Sequence, residues 1–190
     1  MARYAKEHKQ ATRQRIIDRA GRRFKQDGID GSGIATLMSD AGLTNGAFYA
    51  HFESKDDLVA NVVADQLGAQ LRSYAALRPG REGLEDFLRE YLSPEHRDNP
   101  GEGCPSAALL DEIGRCGEGA KGAYTEGARA IVDEIAARLA PADPHSARGR
   151  AIGLFTLAVG TLQLSRALAD RGLSDEVLAR GIENGLSLMG

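Results

Sequence analysis

Three observations predict an all-α chain of about nine helices, with a small three-helix unit at the N-terminus and a larger helical unit after it. Apolar residues recur at spacings of three, four and seven through most of the sequence. No stretch alternates convincingly with a period of two, and Gly, Pro or Asp-Pro breaks separate the periodic runs. With 190 residues, 42% of them hydrophobic, the chain can bury a core without metal or disulfide staples.

The first helix is expected from about His8 to Gln26, with Ile16, Ile17, Ala20 and Phe24 on one stripe and Arg13, Arg15, Arg19, Arg22, Arg23 and Lys25 on the remaining faces. Asp27-Gly28 ends it, and Gly31-Ser32-Gly33 reads as loop. A short second helix follows from about Ile34 on the stripe Ile34, Leu37, Met38 and Ala41, closed by Gly42. Only Gly42-Leu43-Thr44 separate it from a third helix, Asn45 to Phe52, for which Thr44 is the expected N-cap; Phe48 and Phe52 lie one turn apart on its inner side and are assigned to core.

Two short helices joined by a three-residue turn containing Gly form a helix-turn-helix, whose second helix presents its N-terminal residues to the major groove of DNA. Gly42 permits the turn, Leu43 fills the corner, and small Gly46 and Ala47 allow close approach to a groove. Ser54 caps a long fourth helix, 54–78, with Asp56 and Asp57 in its first turn and the stripe Leu58, Val59, Val62, Val63, Leu67, Leu71 and Tyr74, stopped by Pro79-Gly80. Further helices are expected at about 82–97, 105–117, 119–140, 145–171 and 174–189.

The net charge of −3 excludes a polycation that coats nucleic acid or membrane indiscriminately. Its distribution is uneven: residues 1–25 carry nine Lys/Arg against two Asp/Glu, whereas the chain beyond residue 55 is acidic. A basic head on an acidic body places the head near an anion and directs it there. Arg3, Lys6 and Arg13 are the candidates for phosphate contact from the first helix.

No run of about 18 apolar residues suits a membrane span, and the N-terminus has no apolar stretch of signal-peptide type, so a cytoplasmic location without membrane attachment is expected. Cys104 and Cys116 are too few for a disulfide framework and lack the spacing of a zinc site. The four histidines, His8, His51, His96 and His145, sit in no nucleophile, metal or phosphate-loop motif. No enzyme activity, catalytic residue, cofactor or metal is therefore expected.

Residues 42–58 read Gly-Leu-Thr-Asn-Gly-Ala-Phe-Tyr-Ala-His-Phe-Glu-Ser-Lys-Asp-Asp-Leu. This string resembles the signature of the tetracycline-repressor (TetR) family of bacterial transcriptional regulators: Gly, an apolar residue, Ser/Thr, any residue, Gly, two variable positions, Tyr, then His/Tyr-Phe, Ser-Lys and a closing Leu. Thr12, Ile16, Ile17, Ala20, Phe24 and Gly28 also match the family's first helix, so the resemblance covers about residues 10–60. It implies a DNA-binding unit at 1–53, with the motif at about 33–52, and an effector-binding and dimerisation unit at 54–190.

The chemistry of these positions fits that implication. Lys55, at the start of a helix, can converge with free backbone N–H groups on one phosphate. Tyr49 and His51 match positions that donate to phosphate in the family, and Thr44 joins them if its hydroxyl is free of capping. Asn45, at the tip of the recognition helix, can pair bidentately with adenine, and Ala47 can offer a methyl contact to thymine.

A helix-turn-helix monomer buries little surface on DNA, so a homodimer reading a palindromic operator is expected. The last two helices suit that interface: residues 149–169 mix Gly149, Ala151, Gly153, Ala158, Gly160, Ala167 and Ala169 with Leu154, Leu157, Leu164 and Leu168, and the closing helix adds Val177, Leu178, Ile182, Leu186 and Leu188. The resemblance implies a four-helix interface there. It also implies a repressor released by a small-molecule effector held in a pocket of the body, for which Phe87, Tyr91, Leu92, Leu109, Leu110, Ile113, Tyr124, Phe155, Leu162 and Gln163 are candidate lining residues. The fourth helix would transmit the signal, shifting the two recognition helices away from a separation of roughly 34–36 Å.

Cys104, in Asn99-Pro100-Gly101-Glu102-Gly103-Cys104-Pro105, stands at a helix N-terminus, where thiols are more reactive. A regulator that senses oxidants or electrophiles through Cys104 is the alternative reading.

Overall fold

The computed structural model describes residues 2–190, without the side chains of residues 2–5; the expected phosphate contact through Arg3 lies outside the described residues. Among these residues there are nine α-helices, two short 3₁₀ segments and no strand.

Helix α1 (Ala2–Asp27) begins earlier than its apolar stripe suggested and buries Ile16, Ile17, Ala20 and Phe24. It ends at Gly28, whose φ of +80° puts it in the left-handed region and whose N–H donates to Phe24 O at 2.8 Å. Helix α2 (Ile34–Asp40) closes in the expected way: Gly42, at φ +69°, donates to Ser39 O, and Leu43 N–H reaches back to Met38 O, both at 2.9 Å. The recognition element is a 3₁₀ helix, Asn45–Ala50, rather than an α-helix to Phe52. Thr44 occupies the N-cap position, yet its side chain accepts no capping hydrogen bond. Phe48 is fully buried and its ring lies 5.6 Å from that of Phe52, so both are core.

Ser54 caps α3 (Lys55–Ala75), its Oγ accepting Asp57 N–H at 3.1 Å while Asp57 Oδ2 accepts Glu53 N–H at 3.0 Å. The expected 82–97 helix is two: α4 (Gly80–Tyr91) and α5 (Pro94–Asp98), because Ser93 Oγ accepts His96 N–H and Pro94 starts a new helix at its first position. A 3₁₀ turn, Pro100–Glu102, leads into α6 (Pro105–Arg115), then α7 (Glu118–Leu139), α8 (Pro144–Ala167) and α9 (Arg171–Met189). Helix α9 starts before residue 174 because the Asp170 carboxylate accepts Leu173 N–H at 3.1 Å.

Helix α7 runs along α3, α8 along α7 and α9 along α8, with α4 packed on α7 and α9. The α3–α7 approach is close: a Cβ on Gly127 would lie 2.5 Å from Leu67 Cδ1. One apolar core continues from Ile16 to Met189. The N-terminal unit is also bonded directly to the body. Glu112 of α6 accepts the N–H groups of Ile29 and Asp30, Arg22 pairs with Glu102 at 3.2 Å, and Lys25 donates to Gly103 O.

Candidate nucleic-acid interface and ligand cleft

The buried pair Phe48 and Phe52 holds the 3₁₀ helix against α1 and α2, which turns its other side outward. Thr44, Asn45 and Gly46 are exposed there, and Tyr49 is 70% exposed, its ring edge-on to Phe48 at 5.2 Å. Ala47 is half-buried against the core, so its methyl is only partly available. Because Thr44 makes no cap bond, its hydroxyl is available for an outside partner.

His51 is half-buried with Nδ1 unpartnered among the described residues. Burial, reinforced by the positive charges of Lys9 and Arg13, holds its pKa below the ordinary histidine value and keeps the ring neutral at pH 7. A neutral ring retains one N–H to donate to an anion. Lys55 Nζ donates to Ile29 O at 2.6 Å, which pins the start of α3 to the turn after α1 and leaves two N–H donors.

The basic face of α1 is thinner than its charge count implies. Arg13 lies over the Phe52 ring at 4.8 Å and donates to Asn61 Oδ1 at 2.8 Å, bracing α1 against α3. Arg23 forms a two-point pair with Asp40, at 2.8 and 3.0 Å, which holds the Asp40 carboxyl below its ordinary range. Lys6 and Lys9 remain exposed, and Lys9 lies close enough to the recognition element to act on His51. Lys9 was not anticipated, although its place one turn before Arg13 is a usable signal.

A profile described as bacterial regulatory proteins, tetR family, matches residues 16–62, which hold α1 from Ile16, α2, the recognition element and the start of α3. Residues 16–62 form a domain of the tetR family of bacterial regulatory proteins. It is 35% identical over 106 residues to the HTH-type transcriptional regulator AcrR of Shigella flexneri, a match covering 51% of this chain and 49% of that protein. Against the HTH-type transcriptional regulator TtgR of Pseudomonas putida it is 42% identical over 59 residues, 31% of this chain and 28% of that one. It thus spans about half or less of the curated relatives it matches. The fold extends further: the reduced form of NemR from E. coli superposes with a TM-score of 0.78 at 19% identity over 92% of this chain and 95% of that one. A TetR-family regulator from Agrobacterium tumefaciens gives 0.76 at 20% over 93% and 98%. FadR from Bacillus subtilis, in complex with stearoyl-CoA, gives 0.63 at 15% over 90% and 98%.

The body carries a cleft of about 800 Å³, walled by Lys25 of α1, by Gln66, Ala69, Gln70 and Ser73 of α3, by Phe87 and Tyr91 of α4, and by His96 and Gly103–Pro105 beyond it. Phe87 and Tyr91 are thus placed in its wall. Phe155 borders a separate void of about 10 Å³ with them. Leu92, Leu109, Ile113 and Leu162 turn into the closed core, because they lie on the inward stripes of their helices. Leu110 is exposed, Gln163 half-buried on α8, and Tyr124 donates to Ser106 Oγ at 3.0 Å. The sequence reading missed Gln66, Gln70 and His96, and it put Lys25 on the outside of α1, where the structure buries it.

Cys104 is buried at the N-cap of α6, as its place before Pro105 suggested; its Sγ donates to Gln70 Oε1 at 3.3 Å. Its backbone N–H donates to His96 Nε2 at 3.1 Å, while His96 Nδ1 lies 2.7 Å from Tyr91 O. The ring is therefore held neutral, Nδ1–H donating and Nε2 accepting, and burial lowers its pKa below the ordinary histidine value. No helix among the described residues is long and apolar enough to cross a membrane, and no group of three or more His, Cys, Asp and Glu among them is placed to hold a metal ion.

Proposed function

We propose that the protein is a cytoplasmic, ligand-responsive repressor that binds a palindromic operator as a homodimer and is released when a small molecule enters the cleft. The observation that carries this reading is that one helix, α3, both begins at the recognition element and supplies Gln66, Ala69, Gln70 and Ser73 to the cleft wall. A ligand that prefers one setting of α3 biases the spacing of the two recognition elements, and without such a preference nothing shifts. Contacts fall to Thr44, Asn45, Ala47, Tyr49, His51 and Lys55, with Asn45 and Ala47 reading bases and the others positioning the phosphates. FadR in complex with stearoyl-CoA supports the idea that this fold encloses a small molecule.

The dimer face is the outward stripe of α8. Gly149, Ile152, Thr156, Gly160 and Leu164 are all exposed at helical spacing, Ile152 by 44% and Leu164 by 52%, and a Cβ on Gly149 or Gly160 would meet nothing within 4 Å. Ala151, Leu154 and Ala158, also candidates for that face, bury inside the subunit. Selection from a random duplex pool followed by footprinting tests the reading: a short palindromic site bound by a particle of twice 20.3 kDa is expected. Continuous protection, or binding by monomers, overturns it.

A second reading, regulation through the Cys104 thiol, is favoured by one contact: Sγ donates to Gln70 of α3 in the cleft wall, so a group added to sulfur displaces that helix. Peroxide or quinone treatment with parallel DNA-binding measurements decides it; an unmodified Cys104, or a normal response by Cys104→Ser, removes it.

A further inference from the structure

Two polar side chains in the cleft come from different halves of the molecule and are left with unused hydrogen-bonding capacity. Lys25, from the last turn of α1, is 8% exposed; its ammonium donates to Gln66 Oε1 at 2.8 Å and Gly103 O at 2.9 Å. Both acceptors are neutral, and an ammonium has three N–H donors, so one is spare and no bonded carboxylate balances the charge. Burial draws its pKa down against the pull of Glu102, whose carboxylate is paired with Arg22. Tyr91, on α4, is 6% exposed, and its hydroxyl lies beside the Cys104 thiol without a well-formed hydrogen bond among the described residues. Such a buried hydroxyl is costly in a closed structure and useful in a binding site.

One wall beside these two groups is apolar, while Gln66, Gln70, Ser73, Ser93, His96 and Asn99 line the rest. Phe87 lies 5.5 Å from the Tyr91 ring, centroid to centroid, and Leu77 and Ala69 extend the wall. The remaining carboxylates of the cleft, Glu90 and Glu95, are exposed to solvent. Negative charge is thus hydrated, whereas the Lys25 ammonium, bonded to no carboxylate, is buried.

We propose that the cleft takes an amphipathic organic anion, a carboxylate with an aromatic or aliphatic body, whose anionic group accepts the spare N–H of Lys25. Its body lies on Phe87, Leu77 and the ring of Tyr91, with a carbonyl or hydroxyl on that body meeting the Tyr91 hydroxyl. The assignment rests on the ligand-responsive reading above and adds to it: Lys25 belongs to the first helix of the DNA-binding unit, so the ligand's charge is bonded to that unit itself and ties it to the body.

Fluorescence titration with 1-anilinonaphthalene-8-sulfonate and its uncharged relative N-phenyl-1-naphthylamine separates charge from apolar body. The anionic dye is expected to bind at least about tenfold more tightly, as one charge-assisted hydrogen bond implies. Lys25→Met weakens the anionic dye by about tenfold to a hundredfold and leaves the neutral dye within about twofold; Lys25→Arg retains the preference. 1-Naphthoate displaces the anionic dye from the wild type. Equal affinities for the two dyes, or anionic-dye affinity indifferent to Lys25, overturn the proposal. Should Lys25→Met fail to fold, crystals of the wild-type protein with 1-naphthoate decide, because a carboxylate seated away from Lys25 Nζ is equally fatal. Release of a selected operator duplex is read in the same titrations. Release only by uncharged compounds keeps the ligand response and overturns the anion site; a Lys25-dependent anion site without release does the reverse.

Discussion

The carboxylate of Glu112, in α6, closes the turn after α1 by accepting the backbone N–H of Ile29 at 2.7 Å, with that of Asp30 at 3.2 Å beside it. A body side chain thereby completes the end of a helix in the DNA-binding unit, a task that a local residue usually performs.

Glu112→Ala leaves both amides without their acceptor and is expected to cost about 1–3 kcal/mol in urea unfolding. Hydrogen exchange at Ile29 should speed up with it. Glu112→Gln, which keeps an acceptor oxygen without the charge, should lose less.

Acid should loosen the same region through His96. Both ring nitrogens are committed to the neutral form, and the folded pKa lies below that of the free ring. The unfolded chain therefore binds the proton first as pH falls below about 6.5, so the stability His96 contributes is complete above that pH and is lost as pH drops toward the folded value. His51 shifts in the same direction and adds to the slope. Denaturation midpoints at pH 7.5 and pH 5.5 should differ less in His96→Gln than in the wild type; an unchanged difference would exclude His96 as a source.

Two glycines on α7 should respond in opposite directions. An added methyl at Gly127 meets Leu67 Cδ1 at 2.5 Å and Leu67 Cβ at 2.6 Å, and Gly127→Ala should destabilise by about 1–3 kcal/mol. At Gly122 nothing lies within 4 Å, so Gly122→Ala should stabilise by up to about 1 kcal/mol through helix propensity. Thermal melts of the two variants test the contrast.

On DNA, Asn45→Ala should cost about 1–3 kcal/mol and relax preference at one base position, as loss of a bidentate base contact does. Tyr49→Phe should weaken binding evenly across sequences. Titration of each variant against the selected operator and its single-base variants distinguishes the two effects.

Much of the DNA-binding unit is legible in the chain because its determinants are local. The Ile16, Ile17, Ala20, Phe24 stripe, the Gly42 turn and the Ser54 cap each act within a few residues, and each forms as expected. Even there, the count of basic residues on α1 overstated the free charge, since Arg13, Arg22 and Arg23 take partners 17 to 80 residues away: Asn61, Glu102 and Asp40. The cleft was less legible for the same reason. Lys25, Gln66 and Gly103 meet across up to 78 residues, and no periodicity distinguishes a lysine that turns inward from its neighbours on a basic helix. Of the candidate lining residues, Leu92, Leu109, Ile113 and Leu162 go where apolarity sends them, into the closed core.

The tight seating of Leu67 on Gly127 also gives α3 a fulcrum. From Leu67 the rod runs twelve residues to Lys55, about 18 Å, but only six to Ser73 at the cleft, about 9 Å, at the α-helical rise of roughly 1.5 Å per residue. Were a rigid α3 to rock on that point, Lys55 would move about twice as far as Ser73, because of where one glycine sits.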